Sequence, residues 1–134
     1  MAVLLVDVAN VVGSRPDGWW RDRAGATTRL LERLAGLDGR TVPGPNGVPL
    51  RCEAVVAVVE GAARDVPSVA PVRLVRAPGS GDDALAAEAA ALDDGGYAVL
   101  VVTADRGLRP RLPAAVDVTG PGWLLARLDD VAAG

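Results

Sequence analysis

Short apolar runs alternate with amphipathic or alanine-rich stretches along the whole chain. Ala2 to Val6 is continuous, rich in Val and Leu, and ends at Asp7. Such a run reads as a strand buried on both faces. Residues Ala9 to Gly18 contain Gly13, Pro16 and Gly18 and read as a loop. A helix is predicted from about Asp22 to Gly36, with Leu30, Leu31 and Leu34 at helical spacing and Gly36 as C-cap. Asp38 to Pro49 carries three Pro and three Gly around Asn46-Gly47, which suits a surface loop or a small hairpin. Arg51 to Glu60, built on Ala54–Val59, is a second buried strand. Val72 to Val75 is a third, bounded by Pro71 and Pro78. Asp82 to Asp94 is Ala-rich, strongly helix-forming, and closed by Gly95-Gly96. Tyr97 to Thr103 is the fourth and most apolar strand. Ala104 to Leu112 reads as a short helical-turn region, Ala115 to Val118 as a fifth strand, and Trp123 to Val131 as an amphipathic helix.

Apolar strands alternating with helices predict the α/β class. The expected architecture is three-layer α/β/α, with a mainly parallel sheet of four to five strands and right-handed crossovers. In such sheets ligands bind outside the carboxyl ends of the strands. The 134 residues, half of them apolar, suit one domain spanning 1–134.

Composition narrows the chemistry. There is no His, no Lys and no Phe, and all 14 basic residues are Arg. A Ser-His-Asp triad, a Cys-His pair, a Schiff-base lysine and a P-loop lysine are all excluded. The single Cys52 rules out an internal disulfide and a Cys/His zinc site. Acid–base or metal chemistry therefore rests on the 17 Asp and Glu. The net charge of −3 gives no general attraction to nucleic acid, so any such contact must be local. No apolar run is long enough for a membrane helix, and the start lacks the basic segment of a signal peptide. A cytoplasmic location without membrane contact is expected.

The strand-end rule brings these acids together. The first strand ends at Asp7, with Asn10 three residues on. The second ends at Glu60, and the fourth at Thr103-Ala104-Asp105. The helix before the fourth strand opens Gly79-Ser80-Gly81-Asp82-Asp83. Asp7, Glu60, Asp105 and one or both of Asp82 and Asp83 should converge on one sheet edge. Clustered carboxylates need a counter-charge, which here is Arg or a metal ion, and oxygen-only ligation favours Mg²⁺ or Mn²⁺. Each acid also has a plainer use: Asp7 and Asp105 as caps of the turns that follow, Asp82 or Asp83 as helix N-terminal charges, Glu60 as a solvated strand end.

Leu4-Leu5-Val6-Asp7-Val8-Ala9-Asn10-Val11-Val12 resembles the opening of NYN domains, members of the PIN-like nuclease superfamily. Asp83-Ala84-Leu85-Ala86-Ala87 is similar to the helix-opening segment of PIN-like domains. Val101-Val102-Thr103-Ala104-Asp105-Arg106-Gly107-Leu108 is similar to their Thr-x-Asp segment. The three segments occur in the family's order and span nearly the whole chain. The resemblance implies a PIN-like fold and a Mg²⁺- or Mn²⁺-dependent endoribonuclease. By matching positions, Asp7, Asp83 and Asp105 would hold the metal, with Thr103 and Asn10 supporting them. Asp82 is the second choice on the helix, and Glu60 is the candidate for a further acid. The chemistry agrees, because metal-assisted phosphodiester hydrolysis requires neither His nor Lys.

Near these acids, Arg15, Arg21 and Arg106 could meet RNA phosphates and Trp20 could stack on a base. Alternatively, one of Trp19 and Trp20 packs into the core while the arginines are solvated. A haloacid-dehalogenase-type phosphatase is excluded by Asp7-Val8-Ala9 and the absence of Lys. A nucleoside-triphosphate hydrolase lacks its paired-Glu signature. The alternative to a ribonuclease is a non-catalytic PIN-like module that binds nucleic acid, a nucleotide or a protein. The apolar last helix would serve core packing or a homodimer interface.

Overall fold

The computed structural model describes residues 1–133. Strand β1 (Ala2–Asp7) lies in the middle of the sheet. Parallel neighbours flank it, β3 (Pro49–Val59) on one side and β5 (Val99–Val102) on the other. Beyond β5 lies β6 (Asp117–Thr119), also parallel. The C-terminal part of β3 pairs in parallel with β4 (Arg73–Arg76). Its N-terminal part pairs antiparallel with β2 (Thr41–Pro43). Of the loop and the hairpin expected over 38–49, the hairpin forms: Gly47 takes φ +83° at the turn, and the Asn46 side chain accepts from the Val48 amide at 3.1 Å. Among the described residues the sheet has six strands, five of them parallel, one more than expected, because the segment before Pro49 contributes β2.

Among the described residues four α-helices cover the sheet: α1 (Val8–Gly13), α2 (Arg23–Ala35), α3 (Gly81–Asp94) and α4 (Pro121–Ala133). The alternation of side chains along a strand divides the core in two. Leu4, Val6, Val55, Ala57 and Val59 pack with Leu31 and Leu34 of α2 and Leu124 and Leu128 of α4. Val3, Leu5, Val56, Val58, Val99 and Val101 pack with Leu85 and Ala89 of α3. Leu124 and Leu128 are buried within this chain, so these leucines of the last helix serve its own core.

One segment differs from the sequence reading. Val8 to Gly13 is α1, not loop. Asp7 caps it by accepting from the Asn10 amide at 3.3 Å, and Val8 and Val11 are buried at i, i+3 spacing. The Gly and Pro that suggested a loop lie at or after its end. The α2 boundaries match: Asp22 caps through the Gly25 amide at 2.9 Å, and Gly36 closes the helix. Among the described residues no helix is long and apolar enough to cross a membrane.

Candidate active site

The same alternation places the site. Residues 3 and 5 of β1, 56 and 58 of β3, and 99 and 101 of β5 face α3. Continuing by two brings Asp7, Glu60 and Thr103 to that face, at the carboxyl ends of three adjacent strands. The N-terminus of α3 delivers Asp82 to the same place, and the turn after β5 delivers Asp105. Asp7, Asn10, Glu60, Ser80, Asp82 and Asp105 line one open pocket of about 360 Å³. It contains four carboxylates and no cationic side chain.

Asp7 is the buried acid among the described residues, 8% exposed. Burial raises its pKa, and hydrogen bonds from Thr103 and Asn10 offset this in part. Glu60 and Asp105 push it up further. The Thr103 hydroxyl donates to Asp7 Oδ2 at 2.8 Å and accepts from the Asp105 amide at 3.1 Å. One fully buried hydroxyl therefore fixes the Asp7 carboxylate and the Asp105 backbone. Asn10 Oδ1 accepts from the Ala104 amide at 2.7 Å, which ties α1 to the turn after β5. Asp105 Oδ1 accepts from the Gly107 amide at 2.8 Å. Thr103→Val keeps the shape but removes both hydrogen bonds. A charge-assisted bond of this kind is worth about 1.5–3 kcal/mol. The unfolding free energy at neutral pH should fall by that amount, read as a lower midpoint with an unchanged slope against denaturant.

Glu60 lines the acidic pocket and is not a solvated strand end. Its carboxylate accepts from the Gly81 amide, the first of α3, so the chain's own acid fills the anion-binding position at that helix N-terminus. Ser80 caps the helix by accepting from the Asp82 amide at 3.1 Å. A Cβ on Gly81 would lie 2.7 Å from Glu60 Cδ. Gly81→Ala should gain about 1 kcal/mol of helix propensity but lose the Glu60 bond, worth about 1.5–3 kcal/mol. A net destabilisation is expected in urea, and it should reverse sign in a Glu60→Ala background.

The pKa of Asp82 is raised to about 6. Partial burial is the main cause, followed by the hydrogen bond and charge of Asp105 and the charges of Asp7 and Glu60. Its neighbour Asp83 lies elsewhere. The Asp83 carboxylate pairs with Arg111 at 2.6 Å and is 71% exposed. The helix acid of the cluster is therefore Asp82, and the placement of Asp83 with Asp7 and Asp105 is corrected. On a helix, consecutive residues are turned by about 100°, so one of the pair had to point away. The salt bridge to Arg111 was not read from the sequence, since the two are distant along the chain.

None of the candidate RNA contacts lines the acidic pocket. Arg15 pairs with Asp129 at 3.4 Å and borders a neighbouring open groove that shares Ala9 and Asn10 with the pocket. Trp20 is 54% exposed, with the Arg21 guanidinium 5.9 Å from its ring centroid. Arg106 is exposed on the turn after Asp105. Trp19 is the half-buried member of the tryptophan pair.

Two solved structures share this arrangement of strands and helices. Rae1 (YacP) from Bacillus subtilis superposes with a TM-score of 0.75 at 16% identity, over 99% of this chain and 76% of that one. A Trp-to-Leu variant of Rae1 gives 0.71 at 18% identity, over 99% and 78%. No protein-family model matches the chain, and no curated protein matches its sequence. The likeness is one of fold: α/β, with a mostly parallel sheet and helices packed on it.

Proposed function

We propose that the chain, a single PIN-like domain, is a Mg²⁺- or Mn²⁺-dependent ribonuclease that hydrolyses phosphodiester bonds in single-stranded or structured RNA. The observation that carries this reading is the pocket bordered by Asp7, Glu60, Asp82 and Asp105 without a cationic side chain. The similarity of its segments to NYN domains supports it.

The donor set is all oxygen, which suits a hard divalent cation. Among the described residues no three acidic, His or Cys side chains close into a ready-made coordination sphere. The fit is thus one of donor type and shared pocket, with Asp7, Asp82 and Asp105 as the holding residues and Glu60 beside them. When bound, the cation supplies charge neutralisation on the phosphate and a more acidic water. The chain's own residues do the rest. Thr103 and the Asn10 amide fix Asp7, Thr103 also holds the Asp105 backbone, and the α3 N-terminus holds Glu60.

Labelled single-stranded RNA should be cut in Mn²⁺ at low salt and left intact in EDTA. Retention of RNA without cutting would identify a non-catalytic binding module instead. Cation binding is also readable without RNA. At 100 times its Kd, Mn²⁺ should add about 2.7 kcal/mol to stability by mass action. An unmoved melting temperature in a salt-matched Mn²⁺ titration would count against the metal.

A further inference from the structure

A second pocket, of about 300 Å³, adjoins the acidic one. Val12, Trp19, Thr27, Val59 and Ala63 form much of its lining. Glu60 and Ala9 belong to the walls of both pockets. The exposed Arg23 stands at its rim with its guanidinium 5.1 Å from the Trp19 ring centroid. We infer that this pocket holds one unstacked nucleobase of the strand whose backbone crosses the carboxylates. The inference takes its substrate class from the ribonuclease reading.

The chemistry of the lining selects such an occupant. A base has two flat apolar faces and a polar edge. The pocket offers a flat indole, aliphatic Val12, Val59 and Ala63, and polar groups at Thr27 and Glu60. Its volume is at the low end for small-molecule sites. Arg23 adds a positive charge at the mouth, where the phosphate joined to an inserted nucleoside would lie. The rest of the acidic edge offers RNA no cation in its lining. A base anchor with one arginine supplies affinity where bulk charge does not. Splayed bases stacked on aromatic side chains are the usual route to single-stranded RNA recognition.

The geometry also sets which of the two tryptophans lines the pocket. Gly18 turns the chain with φ +83° immediately before Trp19. The indole meets Trp20 edge-on, at 86° and 6.1 Å. Trp19 therefore lines the space between α1, α2 and the end of β3, while Trp20 remains outside it.

The test is equilibrium binding in EDTA, using three fluorescent RNA heptamers: one intact, one fully abasic, and one abasic except for a single central base. A single base should restore about 5- to 150-fold of affinity over the fully abasic strand. Trp19→Ala and Trp19→Leu should each abolish that advantage, and Trp19→Phe should keep most of it. Leu retains apolar bulk, so it separates stacking from folding. Tyr97→Ala, an exposed aromatic at the opposite sheet edge, should leave the ratio unchanged. Equal binding of the one-base and fully abasic strands would overturn the inference. So would an unchanged ratio in Trp19→Leu, or loss of the advantage in Trp20→Ala instead. Cleavage of the intact heptamer in Mn²⁺ is scored separately. Cutting without base-dependent binding sinks the pocket alone, and base-dependent binding without cutting sinks the nuclease alone.

Discussion

Asp7→Asn is expected to lower Mn²⁺-dependent RNA cleavage by about 10³-fold while making the metal-free protein more stable. The two effects share one cause. Asp7 is buried beside Glu60 and Asp105, and its pKa is raised chiefly because burial penalises the charge. A raised carboxylate pKa means that ionisation costs more in the folded chain than in the unfolded one. That cost is present above the ordinary carboxylate range, and Asn removes it. Asn can still accept from Thr103 and from the Asn10 amide, so the cap of α1 and the tie to β5 survive. It cannot supply the charge that holds a cation. Losing about 4 kcal/mol of charge stabilisation corresponds to roughly 10³ in rate. Asp7→Ala separates the two effects, because it also loses the cap and should be less stable than Asp7→Asn. Thermal melts in EDTA and single-turnover cleavage in Mn²⁺ measure both. A fall in stability for Asp7→Asn, or activity within tenfold of the parent, would refute this account.

The second large effect is a contrast between adjacent residues. Asp82→Asn should reduce cleavage by about 10²-fold or more, because it removes one of the charges proposed to hold the cation. Asp83→Asn should stay within about threefold, because it loses only an exposed pair with Arg111. The pH dependence of the metal-free protein adds an independent readout. Asp82 titrates near 6 when folded against 3.8 as its ordinary value. Between those values the folded state binds more protons than the unfolded state. Stability therefore falls as pH rises from about 4 to 6 and then levels off. Asp82→Asn should flatten that slope, whereas Asp83→Asn should not. Equal activity loss in the two variants would show that the cluster is not the reacting centre.

Much of this was legible in the residues. The strands were readable because a strand buried on both faces is a continuous apolar run, and Ala2–Val6, Ala54–Val59 and Val99–Val102 are such runs. Their ends then located Asp7, Glu60 and Asp105 without any knowledge of contacts. Three matters were not legible. The short α1 was hidden because Gly13 and Pro16 dominate a local reading, although Asp7 with Val8, Val11 and Val12 carried the cap and the spacing. Asp82 and Asp83 could not be ordered, because helix phase at a first turn depends on how the helix docks. The resemblance favoured Asp83, and Arg111 takes it away from the cluster. Glu60 reaches α3 only because position 81 lacks a side chain, a pairing across 21 residues that no local pattern shows.

The common parity of Asp7, Glu60 and Thr103 also bears on which length changes the domain can absorb. A residue deleted within β1 or β5 swings everything beyond it to the other sheet face. Asp7 or Thr103 would then turn toward α2, and the acid pair would separate even if the strand still formed. The hairpin tip at Asn46-Gly47 and the turn at Pro113 to Ala115 lie outside these segments, so added residues there leave the count intact. Lineages descended from such a chain should gain and lose residues freely in those turns. Within the two strands they should change length by two at a time or not at all.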